Sequence, residues 1–445
     1  MTTPVADFVR DCAASGRARL HMPGHKGRGP LGCERWDLTE IPGADSLYEA
    51  AGIIAESERS AAALFGSAAT FYSTEGSSQC IKAMLLLALQ NRRRGTPPVI
   101  LAARNVHRSF VHAAALLDFA PVWFWPEGGT GSLCACPVTA EGLEKALAAL
   151  PAPPAAVYVT SPDYLGNRQD IPALAAVCHA RGTLLLADNA HGAYLRFLEP
   201  SLHPLDQGAD LCCDSAHKTL PVLTGGAYLH VSKTAPAALR DRARAALALF
   251  GSTSPSYLIL ASLDLCGAYL AGEGPERIRA AAARLAALKE ELAGWTLAGD
   301  EPLKLTLDAA ASGWDGFALA DLLRAGGVEP EYADRDFCVL MASGSTEEED
   351  VSLLAAGLRR AGRRPPLSRP ALPPARGERA ASVREALFAP QETVPAEESL
   401  GRICGAPTVS CPPAVPVAVS GERIGEEALT LFRYYGVEAV DVLKE

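Results

Sequence analysis

The sequence has no long apolar run, and no segment approaches the roughly 20 consecutive apolar residues that a membrane helix needs. Its N-terminus has no apolar stretch of signal-peptide length behind a basic start. A basic excess is also absent, because 51 acidic residues outnumber 41 lysines and arginines and give a formal net charge of −10. We therefore expect a soluble cytoplasmic protein without a nucleic-acid-binding surface or a membrane anchor.

The cysteines lack the paired spacing of metal sites. The 12 cysteines are scattered, and the close sets are Cys134 with Cys136 and the adjacent Cys212 and Cys213. Neither set has the spacing of a zinc site. We expect reduced, buried thiols in a reducing compartment and no bound metal.

What the sequence does contain is a series of short apolar runs, each followed by polar residues. Runs of this length are typical of strands in a parallel sheet that is covered by helices on both faces. Between two of them, Ile171–Ala180 has apolar residues at helical spacing and stops before Gly182. The runs are Val99–Ala103, Ala155–Val159, Leu184–Ala187, Ala209–Cys213 and Gly226–Val231. This alternation predicts an open, wound α/β sheet, which binds its ligands beyond the carboxyl ends of the strands.

The composition predicts four parts along the chain. Residues 1–50 are irregular, and residues 51–275 hold the predicted sheet as a large domain. Residues 276–365 begin with a long helical pattern and continue as a smaller α/β domain with strands near Leu303–Leu307 and Phe337–Met341. Residues 366–445 form a linker and a C-terminal appendage, because Arg364–Gly377 is rich in proline.

Two groups with chemical potential follow these strand runs. Lys218 comes just after the fourth run, where desolvation can free its amine to form imines, although a surface lysine gives the same pattern. Asp188 follows the third run and could keep a pyridinium nitrogen protonated. A helix cap or a structural ion pair would also explain Asp188.

Two further signals are weak when each is taken alone. Ser77 and Ser78 precede the apolar stretch Ile81–Leu89, so they could open a helix whose free N–H groups bind phosphate, or simply cap it. His107 follows the first run and could stack on an aromatic cofactor or be structural. Together, a phosphate cradle, a stacking ring, a pyridinium partner and an imine-forming lysine make a complete pyridoxal 5'-phosphate site. They occur in the chain order of the aminotransferase-type fold.

With these motifs the chain resembles the bacterial ornithine/lysine/arginine decarboxylase family, in its short form without an N-terminal receiver-like domain. The resemblance implies the aminotransferase-like fold (fold type I), with a mostly parallel large domain and a smaller C-terminal α/β domain. It also implies pyridoxal 5'-phosphate as cofactor and decarboxylation of lysine, ornithine or arginine to the corresponding amine. The resembling segments are Leu20–Gly27 (LHMPGHKG), Asp37–Gly43 (DLTEIPG), Phe71–Met84, Arg104–Ser109, Thr160–Gly166 (TSPDYLG), Asp188–Ala193 (DNAHGA), Ser215–Leu223 (SAHKTLPVL), Ser252–Asp264 and Cys411–Glu422.

The resemblance also implies roles for individual residues. Lys218 would form the Schiff base, Asp188 would pair with the pyridine nitrogen and His107 would stack on the ring. His217 or Lys218 would return a proton to the substrate. The remaining cofactor-binding candidates are Ser77, Ser78, Ser215 and His217 at the phosphate, His191 near the ring hydroxyl or the substrate, and Thr253 at the phosphate from a second subunit. The resemblance thus implies a homodimer with residues 1–50 at the active site and interface.

Departures from the family pattern leave the substrate open. Asn189 stands where the family often has Glu, and Gly225-Gly226 where it often has Gln. Asp163 replaces a residue that is commonly uncharged, and the C-terminal element reads Cys411–Pro416 (CPPAVP).

The acidic partner of a basic substrate is also open. The candidates are Asp163, Asp45, Glu40 and Glu422. Another pyridoxal phosphate reaction such as transamination, and a non-catalytic regulatory homologue, stay as alternatives because they share the same fold and cofactor residues.

Overall fold

The fold is given by a computed structural model that describes residues 1–126, 132–409 and 415–444. The part of the predicted C-terminal motif at Cys411-Pro412-Pro413-Ala414 lies outside the described residues. None of the helices within the described residues combines the length and the apolar character needed to cross a lipid bilayer.

Helices and strands alternate through much of the described chain. The helices are α1 Pro4–Ala14, α2 Ile53–Phe65, α3 Ser77–Asn91, α4 Arg108–Leu117, α5 Ala140–Ala148, α6 Ile171–Ala180, α7 Ala216–Thr219, α8 Ala237–Ala248, α9 Tyr257–Ala271, α10 Gly274–Glu291, α11 Gly316–Ala325, α12 Glu348–Ala361, α13 Val383–Phe388 and α14 Glu426–Tyr435. Short 3-10 helices span Glu34–Trp36, Leu47–Glu49, Ala193–Phe197 and Ala396–Glu398. The strands are β1 Ala69–Ser73, β2 Val99–Ala103, β3 Ala120–Phe124, β4 Ala156–Thr160, β5 Leu184–Asp188, β6 Leu211–Asp214, β7 Ala227–Val231, β8 Leu297–Ala298, β9 Lys304–Asp308, β10 Tyr332–Ala333, β11 Phe337–Met341, β12 Glu378–Arg379, β13 Gln391–Pro395, β14 Thr408–Val409, β15 Ala418–Val419, β16 Glu422–Arg423 and β17 Ala439–Leu443.

The chain divides into two compact units, each built from two stretches of sequence. The first unit combines residues 1–95 and 178–277, and the second combines residues 96–177 and 278–445. The predicted boundaries at residues 50, 275 and 365 were drawn from composition, and they stay predictions.

In the first unit the strands lie in the order β1-β7-β6-β5. Strands β5 and β6 are parallel, whereas β7 runs antiparallel to both β6 and β1. The expectation that all five apolar runs are parallel strands is therefore wrong for β7. A run that is apolar on both faces reports burial and not direction, and the connection from β6 to β7 holds only the four-residue helix α7.

In the second unit β2 lies between β3 and β4, and these three strands are parallel. A separate four-stranded sheet has the order β10-β11-β9-β8, with antiparallel pairing throughout. The predicted α/β class with a mostly parallel main sheet is confirmed. Residues 364–377 contain no helix or strand, as the proline content predicts.

Candidate active site

Asp188 ends β5, and its carboxylate is held at the strand end. The residue is 2% exposed, and its Oδ1 accepts the backbone N–H of Ala190 at 3.2 Å and the thiol of Cys213 at 3.7 Å. Burial, and then the negative charge of Asp188, raise the pKa of Cys213 well above its usual value. The thiol therefore stays protonated and can donate to the carboxylate.

Lys218 lies in α7, which begins two residues after β6 ends. The residue is exposed, and its Nζ is 3.1 Å from Nε2 of His191, which is 7% exposed. His191 follows β5 in the Asp188–Ala193 motif. The fold thus brings together Lys218 and His191, two predicted site residues that are 27 positions apart in the chain.

The start of α3 offers backbone and hydroxyl donors in the same unit. Gly76 is the N-cap of the helix and has φ of +70°. Among the described residues, no side chain makes a capping hydrogen bond to the first turn. The hydroxyl of Ser215 donates to Ser77 Oγ at 2.8 Å, so the first residue of α3 meets the residue that precedes α7. Ser78 is half-buried. Uncapped N–H groups at a helix start and clustered hydroxyls are the donors that phosphate binds.

One ring nitrogen of His217 has a hydrogen-bond partner in the protein. Its Nδ1 is 2.9 Å from the carbonyl oxygen of Gly226, and burial lowers the pKa of His217. A neutral ring that donates from Nδ1 keeps Nε2 as an acceptor. The neighbouring Gly225 has φ of +99°, and a Cβ there would lie 2.9 Å from the carbonyl oxygen of Thr74. Glycine at position 225, one of the departures from the family pattern, is therefore required by the local backbone.

Thr253 and His107 lie at other positions in the fold. Thr253 is exposed, and the adjacent Ser252 N–H donates to the Glu75 carboxylate at 3.2 Å. His107 belongs to the second unit, where it is the N-cap of α4 and its Nδ1 accepts the N–H of Ser109 at 3.2 Å. The contact of Thr253 with a second subunit and the stacking role of His107 stay predictions.

Asp214 is the centre of a buried network that the sequence patterns did not indicate. Its Oδ2 lies 3.0 Å from His203 Nε2 and 3.1 Å from His230 Nε2, and its Oδ1 accepts Asn189 Nδ2 at 2.7 Å. All four residues are completely buried. Burial acts to raise the pKa of Asp214, but the two imidazoles outweigh it and hold that pKa well below its usual value. A histidine within an apolar strand run, as at His230, was the available sequence signal.

The His203–Asp214–His230 set has metal-ligand spacing, but its hydrogen bonds favour a different reading. The Nδ1 of His203 accepts the N–H of Leu205 at 3.3 Å, so Nε2 of His203 carries a proton that points at Asp214. A metal would need the lone pair at that same nitrogen. We therefore read the set as a hydrogen-bond network.

Three of the four candidate substrate carboxylates already have structural partners. Asp45 accepts backbone N–H groups at the start of α2, including Gly52 at 2.9 Å. Asp163 is 2% exposed and accepts Asn167 Nδ2 at 2.8 Å, and Glu422 pairs with Arg104 at 2.6 Å. Glu40 is exposed and accepts only the hydroxyl of Thr39 among the hydrogen bonds of the described residues.

Comparison with known proteins identifies the family of the chain. The family model of the Orn/Lys/Arg decarboxylase major domain matches residues 33–297. An arginine decarboxylase of Halalkalibacterium halodurans is 30% identical, over 97% of this chain and 93% of that protein. The uncharacterized protein YaaO of Bacillus subtilis is 29% identical, over 96% of this chain and 93% of that protein.

A solved structure supports the fold independently. The constitutive lysine decarboxylase of E. coli superposes with a TM-score of 0.79, covering 100% of this chain and 82% of that chain at 18% identity. The predicted aminotransferase-like fold is confirmed. The chain therefore belongs to the Orn/Lys/Arg decarboxylase family and is an amino-acid decarboxylase.

Proposed function

We propose that the protein holds pyridoxal 5'-phosphate on Lys218 and decarboxylates a basic amino acid, namely lysine, ornithine or arginine. The observation that carries the proposal is the Lys218 amine, exposed at the end of β6 and 3.1 Å from His191 Nε2. The buried carboxylate of Asp188 ends the neighbouring parallel strand of the same unit.

The donor set of the first unit suits this cofactor group by group. An aldehyde needs a reactive amine, which Lys218 supplies. A protonated pyridine nitrogen needs a carboxylate as hydrogen-bond acceptor, and Asp188 is a buried carboxylate that accepts two hydrogen-bond donors at the end of its strand. A phosphate needs N–H and hydroxyl donors, which Ser77, Ser78 and Ser215 supply. The stacking role of His107 is part of this proposal and rests on its sequence motif.

When bound, pyridoxal phosphate supplies an electron sink for the bond that breaks at the substrate Cα. The protein's own residues would control protons and orientation. Asp188 would hold the proton on the ring nitrogen, and the buried strand ends would keep that carboxylate fixed. Lys218, or His217 after its Nε2 has taken up a proton, would return a proton to Cα once CO2 leaves. His191, hydrogen-bonded to Lys218, would orient the amine.

A basic substrate is supported by the relatives, one of which is named arginine decarboxylase. Among the four carboxylates considered, Glu40 is the one we propose for the substrate's basic group, because Asp45, Asp163 and Glu422 are held by internal partners.

A homodimer completes the proposal. Apolar side chains of the N-terminal segment are highly exposed in the single chain: Leu20 is 94%, Met22 70% and Leu31 81% exposed. A set of exposed apolar side chains in one segment is typical of a surface that a partner covers.

The test has two measurements on the purified protein loaded with pyridoxal phosphate. Borohydride reduction followed by digestion should leave the cofactor on the peptide that contains Lys218, and K218A should carry no label. Incubation with lysine, ornithine and arginine should release CO2 and the amine from at least one of them. Keto acid without CO2 would replace decarboxylation by transamination, and a label without turnover of any of the three would favour a regulatory homologue.

A further inference from the structure

Asn189 and Asp214 form a side-chain pair directly behind the proposed site. In the parallel pairing of β5 with β6, Asp188 is opposite Cys213. The pairing extends by one residue beyond β5, because the Asn189 N–H donates to the Cys213 carbonyl at 3.0 Å. The side chains of these next residues are also joined, because the Asn189 Nδ2 donates to Asp214 Oδ1 at 2.7 Å. The two strand ends are thus tied by a backbone bond and a side-chain bond.

The alternation of side chains places this pair on the opposite face from the proposed cofactor partner. Successive residues of a strand point to opposite faces, so Asp188 and Cys213 share one face, as their 3.7 Å contact shows. Asn189 and Asp214 share the other. Asp188 precedes Asn189 directly, and Lys218 is four residues after Asp214. The pair therefore joins the two backbone segments that carry Asp188 and Lys218.

Only a hydrogen-bond donor fits at position 189. Both oxygens of Asp214 accept hydrogen bonds, Oδ2 from His203 and His230 and Oδ1 from Asn189 and the Cys212 thiol at 3.6 Å, and none of these residues is exposed. A carboxylate at position 189 would face the Asp214 carboxylate at 2.7 Å without water between them.

The other atom of the Asn189 amide shapes the following turn. Its Oδ1 has no hydrogen-bond partner within the described residues, and a Cβ on Gly192 would collide with it. The Gly192 N–H donates to the Asn189 backbone carbonyl at 2.8 Å. This turn carries His191, the residue in contact with Lys218.

We propose that Asn189 and Asp214 are a positioning pair, which sets the separation of the Asp188 and Lys218 backbone segments through one donor–acceptor hydrogen bond. The inference rests on the proposed function, because it concerns how two proposed cofactor residues are held. It also explains why this chain has an amide next to Asp188: the neighbouring strand presents a carboxylate whose other oxygen is already occupied by two histidines.

The test is an exchange of the amide and the carboxylate between the two positions. N189D places two carboxylates in contact. N189D/D214N restores one donor and one acceptor, because the new amide at position 214 can accept from both histidines through its carbonyl while its NH2 donates to the new carboxylate at position 189. N91D is the matched control, since Asn91 is exposed at the end of α3 and the substitution adds the same charge.

Three quantities are measured for each variant: pyridoxal phosphate affinity, the absorption band of the lysine-bound cofactor, and the thermal unfolding midpoint without cofactor. We expect N189D to weaken cofactor binding about tenfold, to shift the band and to lower the midpoint. The double variant should return binding to within about threefold of wild type and restore the band and the midpoint. N91D should leave the affinity and the band unchanged and lower the midpoint much less than N189D does, because its new charge lies at the exposed C-terminal end of α3.

Two results would overturn the inference. One is an N189D protein with wild-type affinity and absorption. The other is a double variant that does not recover what N189D loses, whether that is folding or cofactor binding. Wild-type protein that binds no pyridoxal phosphate would instead refute the proposed function, and the exchange would still be readable in the unfolding midpoints of the cofactor-free proteins.

Discussion

The buried ion pair of Arg104 and Glu422 allows a quantitative prediction for the second unit. Two bonds join the guanidinium to the carboxylate, at 2.6 and 2.7 Å, and the residues are 0% and 5% exposed. Glu422 also accepts the N–H of Val419 at 2.9 Å, while Arg104 donates to the carbonyl of Pro416 at 3.2 Å. This cluster attaches the segment around β15 and β16 to the end of β2.

E422A should lower the free energy of unfolding by about 3–5 kcal/mol, because it leaves the guanidinium buried without its counter-charge. The two lost charge-assisted bonds give an overlapping range of about 3–6 kcal/mol, since each contributes about 1.5–3 kcal/mol. The Trp123 ring, 4.7 Å from the guanidinium carbon, offers only weak compensation. R104M/E422L should recover most of the loss, because apolar side chains of similar volume leave no buried charge.

Urea unfolding followed by tryptophan fluorescence suits this measurement, because Trp123 and Trp125 both lie beside Arg104. E397A is the control. Glu397 also makes two bonds to an arginine, Arg433, but both side chains are more than half exposed, so its loss should leave the unfolding midpoint nearly unchanged. If E422A shifts the unfolding midpoint no further than E397A does, burial does not increase the contribution of the Arg104–Glu422 pair to the free energy of unfolding.

Three further outcomes are expected. D188N should retain the cofactor but slow decarboxylation about 100-fold or more, because an amide cannot stabilise the charge on the ring nitrogen; wild-type turnover would contradict this role. S215A should weaken pyridoxal phosphate binding about tenfold in a fluorescence titration through loss of one hydroxyl at the phosphate, and unchanged affinity would place the phosphate elsewhere. Burial raises the pKa of Asp163 from its ordinary 3.8 to about 6. Since the folded state then binds this proton more tightly, Asp163 should contribute a fall of about 3 kcal/mol to the free energy of unfolding of the cofactor-free protein as pH rises from about 4 to above 6. D163N should abolish that fall in urea titrations and the exposed D118N should keep it; a parallel pH dependence in wild type and D163N would show that Asp163 is not responsible.

Local sequence pattern was sufficient for several of the longer strands, and it supplied the candidate site residues, whose roles stay predictions. The run Val99–Ala103 coincides with β2, and the run that starts at Leu184 forms β5, because strands buried on both faces leave a continuous apolar signal. Helix α6 matches its prediction residue for residue, since helical spacing and a following glycine mark both ends. The motifs also identified the family, because each motif combines reactive side chains with residues that a particular backbone turn needs.

Strand direction, by contrast, was decided by tertiary structure. The run at β7 is as apolar as its neighbours, yet it is antiparallel to both of them, and neither burial nor propensity differs between the two directions. The position of strand β1 in the sheet was also decided by tertiary structure. Its pairing with β7 joins residues about 160 positions apart, and no local sequence pattern indicates such a pairing.

The sequence by itself determined the fold class, the family and the residue types of the candidate site. Only the tertiary structure decided which polar residues are mutually satisfied. It assigned Asp45, Asp163 and Glu422 to internal partners, and it placed Asp214 against Asn189 and two histidines. The physical reason is that a hydrogen bond or an ion pair depends on distances between segments far apart in the chain, whereas a sequence motif reports only its own neighbourhood.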